Sequence, residues 1–228
     1  MKKFFAVFFI LLLAVSVAFS VATKRSFTDY SNDENVQNRA VLNYISTGIP
    51  GKDVDESDDF QPSVEHLLDA ELIAEVEPVG KTKWMYQAGL DTLKIKKVYK
   101  GDNVKPGELI DCYNKAFVDE IDGKWRFGNV YYFIPMQEGK TYIIFADKKD
   151  YHPAYEQTLE RKVYVMKCDD VSFFRTDMTE PPILSKKKMK YTYKDVKDYE
   201  FLCYSEKQRD GINQFKKDVI RELAKLEK

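Results

Sequence analysis

The chain has 228 residues, with 36 Lys and Arg against 37 Asp and Glu, for a formal net charge of −1. Fifteen Tyr and fifteen Phe make it rich in aromatic side chains. This composition excludes low-complexity and collagen-like chains and argues against wholesale disorder. It also argues against a nucleic-acid partner, because no excess of cations exists to displace counterions from phosphates.

Met1-Lys2-Lys3 is a short positive head, and Phe4 to Ala22 carries no charge. Those 19 residues would make a helix of roughly 28 Å, close to the thickness of a bilayer core. Two readings fit. A secretory signal would be cut after Ser20 or Ala22, where small residues stand at the required positions. An uncleaved anchor would keep residues 4–22 as a membrane contact. Lys24 and Arg25 follow at once, so the flanking charges say little about orientation. Both readings put the remainder of the chain outside the cytoplasm, secreted or at the cell surface.

Ser26 to Gly80 is acidic, with thirteen acids and two bases. Residues 23–61 are expected to form an acidic stalk, in which Val36 to Ile45 has the spacing of a short helix. Gly51 to Gln61 is expected as a solvated loop. Its run Asp53, Asp55, Glu56, Asp58 and Asp59 lacks the glycine and terminal glutamate of a calcium-binding loop.

Residues 62–180 change character. Leu72 to Val76 is a strand candidate. A second run starts at Tyr86, resumes after Gly89 and continues to Tyr99, with a change of phase near Lys96-Lys97 that predicts a bulge. Lys105-Pro106-Gly107-Glu108 is a turn. Leu109 to Tyr113, Val130 to Ile134, Thr141 to Ala146 and Arg161 to Cys168 are further strands. Short strands spaced by Gly- and Pro-bearing turns indicate a small β domain; the pattern alone fits a barrel or a sandwich.

Residues 181–228 are basic, with thirteen bases and eight acids. Lys186, Lys187, Lys188 and Lys190 precede Tyr191 and Tyr193, and could contact a polyanion or lie in a solvated linker or edge strand. Ser205 is placed to cap a helix with Gln208 in the capping box. Ile212, Phe215, Val219, Leu223 and Leu226 then recur at helical spacing, which predicts an amphipathic helix packed on its own domain.

The chemistry-bearing residues are few. There are two histidines and three cysteines, Cys112, Cys168 and Cys203. Their spacing matches no compact zinc arrangement. If one disulfide forms, Cys112 and Cys168 are the favoured pair; three reduced buried thiols are the other state. His66 reads as a surface or capping residue, and His152 as part of a polar loop near Asp147 and Asp150. No nucleophile elbow and no phosphate-binding glycine loop occurs. The sequence therefore supplies no catalytic, cofactor-binding or metal residues. Trp84, Tyr86, Trp125, Tyr131 and Tyr132 are candidates to line a ligand groove, or alternatively to form core and rim.

Four segments resemble bacterial netrin-like domains, the OB-fold barrels related to tissue inhibitors of metalloproteinases: Glu71 to Val76, Leu93 to Gly101 with its terminal Lys-Gly, Val104 to Ile110 with its Pro-Gly turn, and Met136 to Phe145 with Gly139-Lys140-Thr141-Tyr142. The likeness spans Leu67 to Asp170. It implies a mainly β protein: a small OB-like barrel, here with an N-terminal hydrophobic helix and a C-terminal amphipathic helix. Inhibitors of that kind bind the protease zinc through an N-terminal cysteine, yet no cysteine precedes Cys112. The expectation is a non-catalytic, extracytoplasmic binding module whose partner is an envelope protein or anionic polymer. A secreted hydrolase with a site outside known motifs, a purely structural envelope component and, less favoured, a protease inhibitor are the alternatives.

Overall fold

The computed structural model describes residues 2–26, 33–42, 63–85, 88–128, 134–167, 171–177, 180, 182–184, 191–203 and 205–226. The first element is the apolar helix α1 (Lys2–Ser26). Its described side chains, from Phe8 to Val21, are all exposed and cover about 21 Å of helix. Among the described residues no helix is long and apolar enough to cross a membrane.

Helix α2 (Glu34–Arg39) and strand β1 (Val41–Leu42) follow. The expected helix over Val36 to Ile45 therefore stops early. Ala40 is fully buried, and the chain then extends to pair in parallel with Arg126 and Phe127. Backbone pairing with a neighbouring strand wins over helical periodicity here, since propensity is a weak prior against tertiary contacts. The expected acidic loop at residues 51–61 lies outside the described residues.

Helix α3 (Val64–Leu68) leads into strands β2 (Leu72–Pro78), β3 (Lys83–Met85), β4 (Ala88–Lys100), β5 (Leu109–Asn114), β6 (Phe117–Ile121), β7 (Lys124–Gly128) and β8 (Tyr142–Lys148). The short helix α4 (Pro153–Glu156), strands β9 (Val163–Met166) and β10 (Phe173–Arg175), and helices α5 (Tyr193–Val196) and α6 (Glu206–Leu226) complete the chain.

Five strands close on themselves in the order β2, β4, β5, β9, β8 and back to β2. The β5–β9 pairing is parallel, and the other four are antiparallel. With these five strands numbered in chain order, this is 1-2-3-5-4-1, an OB-like barrel. The protein is thus mainly β, with the long apolar helix α1 near the start of the chain and the long helix α6 at its end. Closure removes the exposed ladder edges that a flat sheet of these strands would present.

The closure depends on β4. Its first half pairs with β5 and its second half with β2, and the register against β2 skips Lys96 and Tyr99. Each extra residue adds bend and twist, which lets one strand turn the barrel corner. The bulge predicted at Lys96-Lys97 is present. So is the turn at Lys105 to Glu108, where Gly107 has φ +88° and the Glu108 amide donates to the Lys105 carbonyl.

Alternation along the strands separates two surfaces. Leu72, Ala74, Val76, Leu93, Ile95, Ile110, Cys112, Ile144, Ala146, Tyr164 and Met166 fill the interior. On the outside of β2 and β8, Ile73, Ile143 and Phe145 join Phe174 and the apolar stripe Ile212, Phe215, Val219 and Leu223 of α6. The C-terminal helix therefore packs on its own barrel. Ser205 caps it by accepting from the Gln208 amide, whereas Leu226 stays half exposed.

A third layer sits at one end of the barrel. The β6–β7 hairpin, with β1 along its edge, packs Val118 and Phe127 against Trp84, Ile134, Leu184, Val196 and Leu202. Tyr193 opens α5 rather than lying in a linker or edge strand. Its ring stacks on Phe127 at 4.8 Å and its amide donates to the Ala40 carbonyl. Ile134 is buried and is not part of a strand; residues 129–133 of the expected Val130 to Ile134 strand lie outside the described residues.

Candidate binding face

The first half of β4, with β5 and β9, forms an outer side of the barrel that contributes no residue to the α6 cluster. Directly paired residues on neighbouring strands share a face, so the outward side chains form rungs. Leu90, Tyr113 and Val165 make the first rung. Thr92, Asp111 and Val163 make the second, and Lys94 and Leu109 the third. Val163 is buried; the others are half-buried or exposed, with Leu109 the most open apolar residue at 37%.

The middle rung is internally ordered. Thr92 Oγ1 donates to Asp111 Oδ1 at 2.8 Å, and Arg161 Nη1 donates to Asp111 Oδ2 at 3.4 Å. Arg161 comes from the loop between α4 and β9 and keeps a third of its side-chain surface open. One carboxylate thus holds a guanidinium at the edge of an apolar rung. Such a surface can recognise a partner through aromatic and aliphatic contact beside directional polar groups.

The aromatic residues expected to line a groove are placed differently. Trp84 is only 4% exposed and meets Phe127 edge-on at 4.8 Å, so it belongs to the third-layer core and presents no ring face to a ligand. Trp125 is half-buried against the same core. Tyr86, Tyr131 and Tyr132 lie outside the described residues, as do Lys186, Lys187, Lys188 and Lys190. Residues that flank the lysines, Leu184 and Tyr191, both pack in the third layer.

Tyr113, Asp111 and Arg161 were not singled out from sequence. The signal for the first two is present, since Leu109, Asp111 and Tyr113 alternate with the inward Ile110, Cys112 and Asn114. Arg161 carries no such signal, because its place depends on how the loop after α4 returns to the sheet.

The histidines act locally. The His66 amide donates to Ser63 Oγ at the start of α3, and His152 Nδ1 accepts from the Ala154 amide at the start of α4. Asp147 accepts from the Glu71 amide and pairs with Lys167 at 3.0 Å. Cys112 and Cys203 are buried free thiols, and Cys168 lies outside the described residues. Burial, with the nearby charges of Asp91 and Asp111, pushes the Cys112 thiol well above its ordinary value. That is the opposite of an activated nucleophile. Among the described residues no cluster of His, Cys, Asp and Glu could hold a metal ion.

No protein-family model matches the chain, and no curated protein matches it.

Proposed function

We propose that this protein is a non-catalytic binding module of the cell envelope, acting outside the cytoplasm and recognising its partner through the β4–β5–β9 face. The observation that carries this reading is the two-sided barrel. One outer side is covered by α6, while another displays Leu90, Tyr113, Leu109 and Lys94 in partly open rungs, with Arg161 beside them. In OB folds this side and its flanking loops are a frequent binding surface. The exposed apolar helix α1 supports delivery to, or retention at, a membrane. The netrin-like motifs support the same reading, although the barrel alone does not determine the activity.

Two measurements test it. Cell fractionation should recover the chain outside the cytoplasm; recovery in the soluble cytoplasmic fraction overturns the compartment. Isolated envelope material should retain the purified protein, and Tyr113→Ala and Arg161→Ala should each weaken retention about tenfold, the loss of roughly one good contact. Retention that is unchanged in both variants removes this face from the reading.

A further inference from the structure

Asp91 stands inside the barrel, on the inward side of β4 with Leu93 and Ile95, and is only 3% exposed. Its position links three parts of the fold. Thr82 Oγ1 donates to Asp91 Oδ1 at 2.5 Å, and Asn114 Nδ2 donates to Asp91 Oδ2 at 2.6 Å. Thr82 lies just ahead of β3, which carries Trp84. Asn114 ends β5, and its Oδ1 accepts from the Ala116 amide at the entry to β6. One carboxyl therefore holds both segments that lead from the barrel into the third layer.

Its surroundings hold no compensating charge among the described residues. The groups facing it are Thr82 ahead of β3, Asn114 and the Cys112 thiol of β5, and the Tyr193 phenol of α5. Tyr193 is near Tyr142 of β8, and burial raises both phenols to about 12, so both are neutral at ordinary pH. A buried carboxylate held by neutral donors alone is costly to ionise. A hydroxyl can both donate and accept. Thr82 can donate to the ionised carboxylate, as observed, or accept from the protonated acid, so both states can be satisfied.

We propose that Asp91 is a proton-operated switch for the seam between the barrel end and the third layer, with protonation tightening the seam and ionisation loosening it. Burial raises the Asp91 carboxyl from 3.8 to about 6, against smaller opposing effects of the Thr82 and Asn114 hydrogen bonds. The native state then holds this proton more tightly than the unfolded chain. The stabilisation is complete below pH 3.8 and is lost as pH rises through about 6. Because β3 pairs with β4 at Leu90, the switch borders the first rung of the candidate face. The proposal does not depend on any ligand of that face.

Trp84 reports the seam. In the full-length chain carrying Trp125→Phe it is the sole remaining indole of two. Its fluorescence should titrate with a midpoint near pH 6. The Tyr193 amide, bonded to Ala40, should exchange faster above that midpoint after correction for the intrinsic pH effect. Asp91→Asn should abolish the transition. Thr82→Val, which removes a donor to the ionised form and leaves Asp91 in place, should move the midpoint upward. A flat Trp84 signal from pH 4.5 to 7.5 would overturn the proposal. So would a transition that persists in Asp91→Asn, or a midpoint that Thr82→Val leaves unmoved.

Discussion

Lys216 extends from α6 to bring its ammonium within 2.7 Å of both carboxylate oxygens of Glu200, with both side chains shut off from solvent. The same ammonium donates to the Asp177 carbonyl, and Glu200 Oε1 also accepts from the Arg175 amide. The pair therefore fastens α6 to the segment after α5 and to β10. Breaking it by Lys216→Met leaves a buried carboxylate without its cation and should cost about 3–5 kcal/mol. Chemical denaturation measures this directly. Adding Glu200→Leu should recover part of the loss, because the orphaned charge is removed with its partner.

The apolar stripe of α6 should matter as much as the ion pair. Phe215 is 6% exposed and meets Phe174 edge-on, with ring centroids 6.4 Å apart. Phe215→Ala should destabilise the fold by about 3–5 kcal/mol through lost burial and the cavity left behind. Leu226, half exposed at the end of the same helix, should tolerate alanine within about 0.5 kcal/mol.

Cys112 should be inert in the native state. It is fully buried and its thiol is held in the protonated form. Alkylation at pH 8 followed by mass spectrometry should find it unmodified in the folded protein and modified in denaturant. Native labelling at a rate comparable to the denatured chain would show that the barrel opens readily.

The basic run before Tyr191 gives a salt-dependent prediction. If Lys186, Lys187, Lys188 and Lys190 meet a polyanion, changing all four to Ala should cut retention on anionic envelope polymer strongly at low salt and little at high salt, where exposed charges are already screened. Equal retention at low salt would remove the polyanion from consideration.

Hairpin β6–β7 shows where sequence reading stopped short. Asp122-Gly123 joins the strands, and both residues have positive φ, 52° and 69°. An Asp-Gly pair between β-prone runs is a strong local hairpin signal. It places Trp125 and Phe127 on one strand of a hairpin, while their packing against Trp84 and Leu202 is a long-range outcome. Short strand β10 was less accessible, since three residues hold no period and their pairing with β8 is settled by the barrel beside them.

Local pattern alone determined the barrel strands that carry clear alternation, the bulge in β4, the turn at Gly107 and the buried face of α6. Each follows from neighbours within a few residues, where side-chain direction and backbone freedom act at short range. Tertiary structure decided which outer side of the barrel α6 would cover, that Trp84 would be core, and that Asp91 would meet Thr82 and Asn114 inside it. Those outcomes join residues from separate strands, and a one-dimensional pattern holds no information about which distant surfaces exclude water from one another.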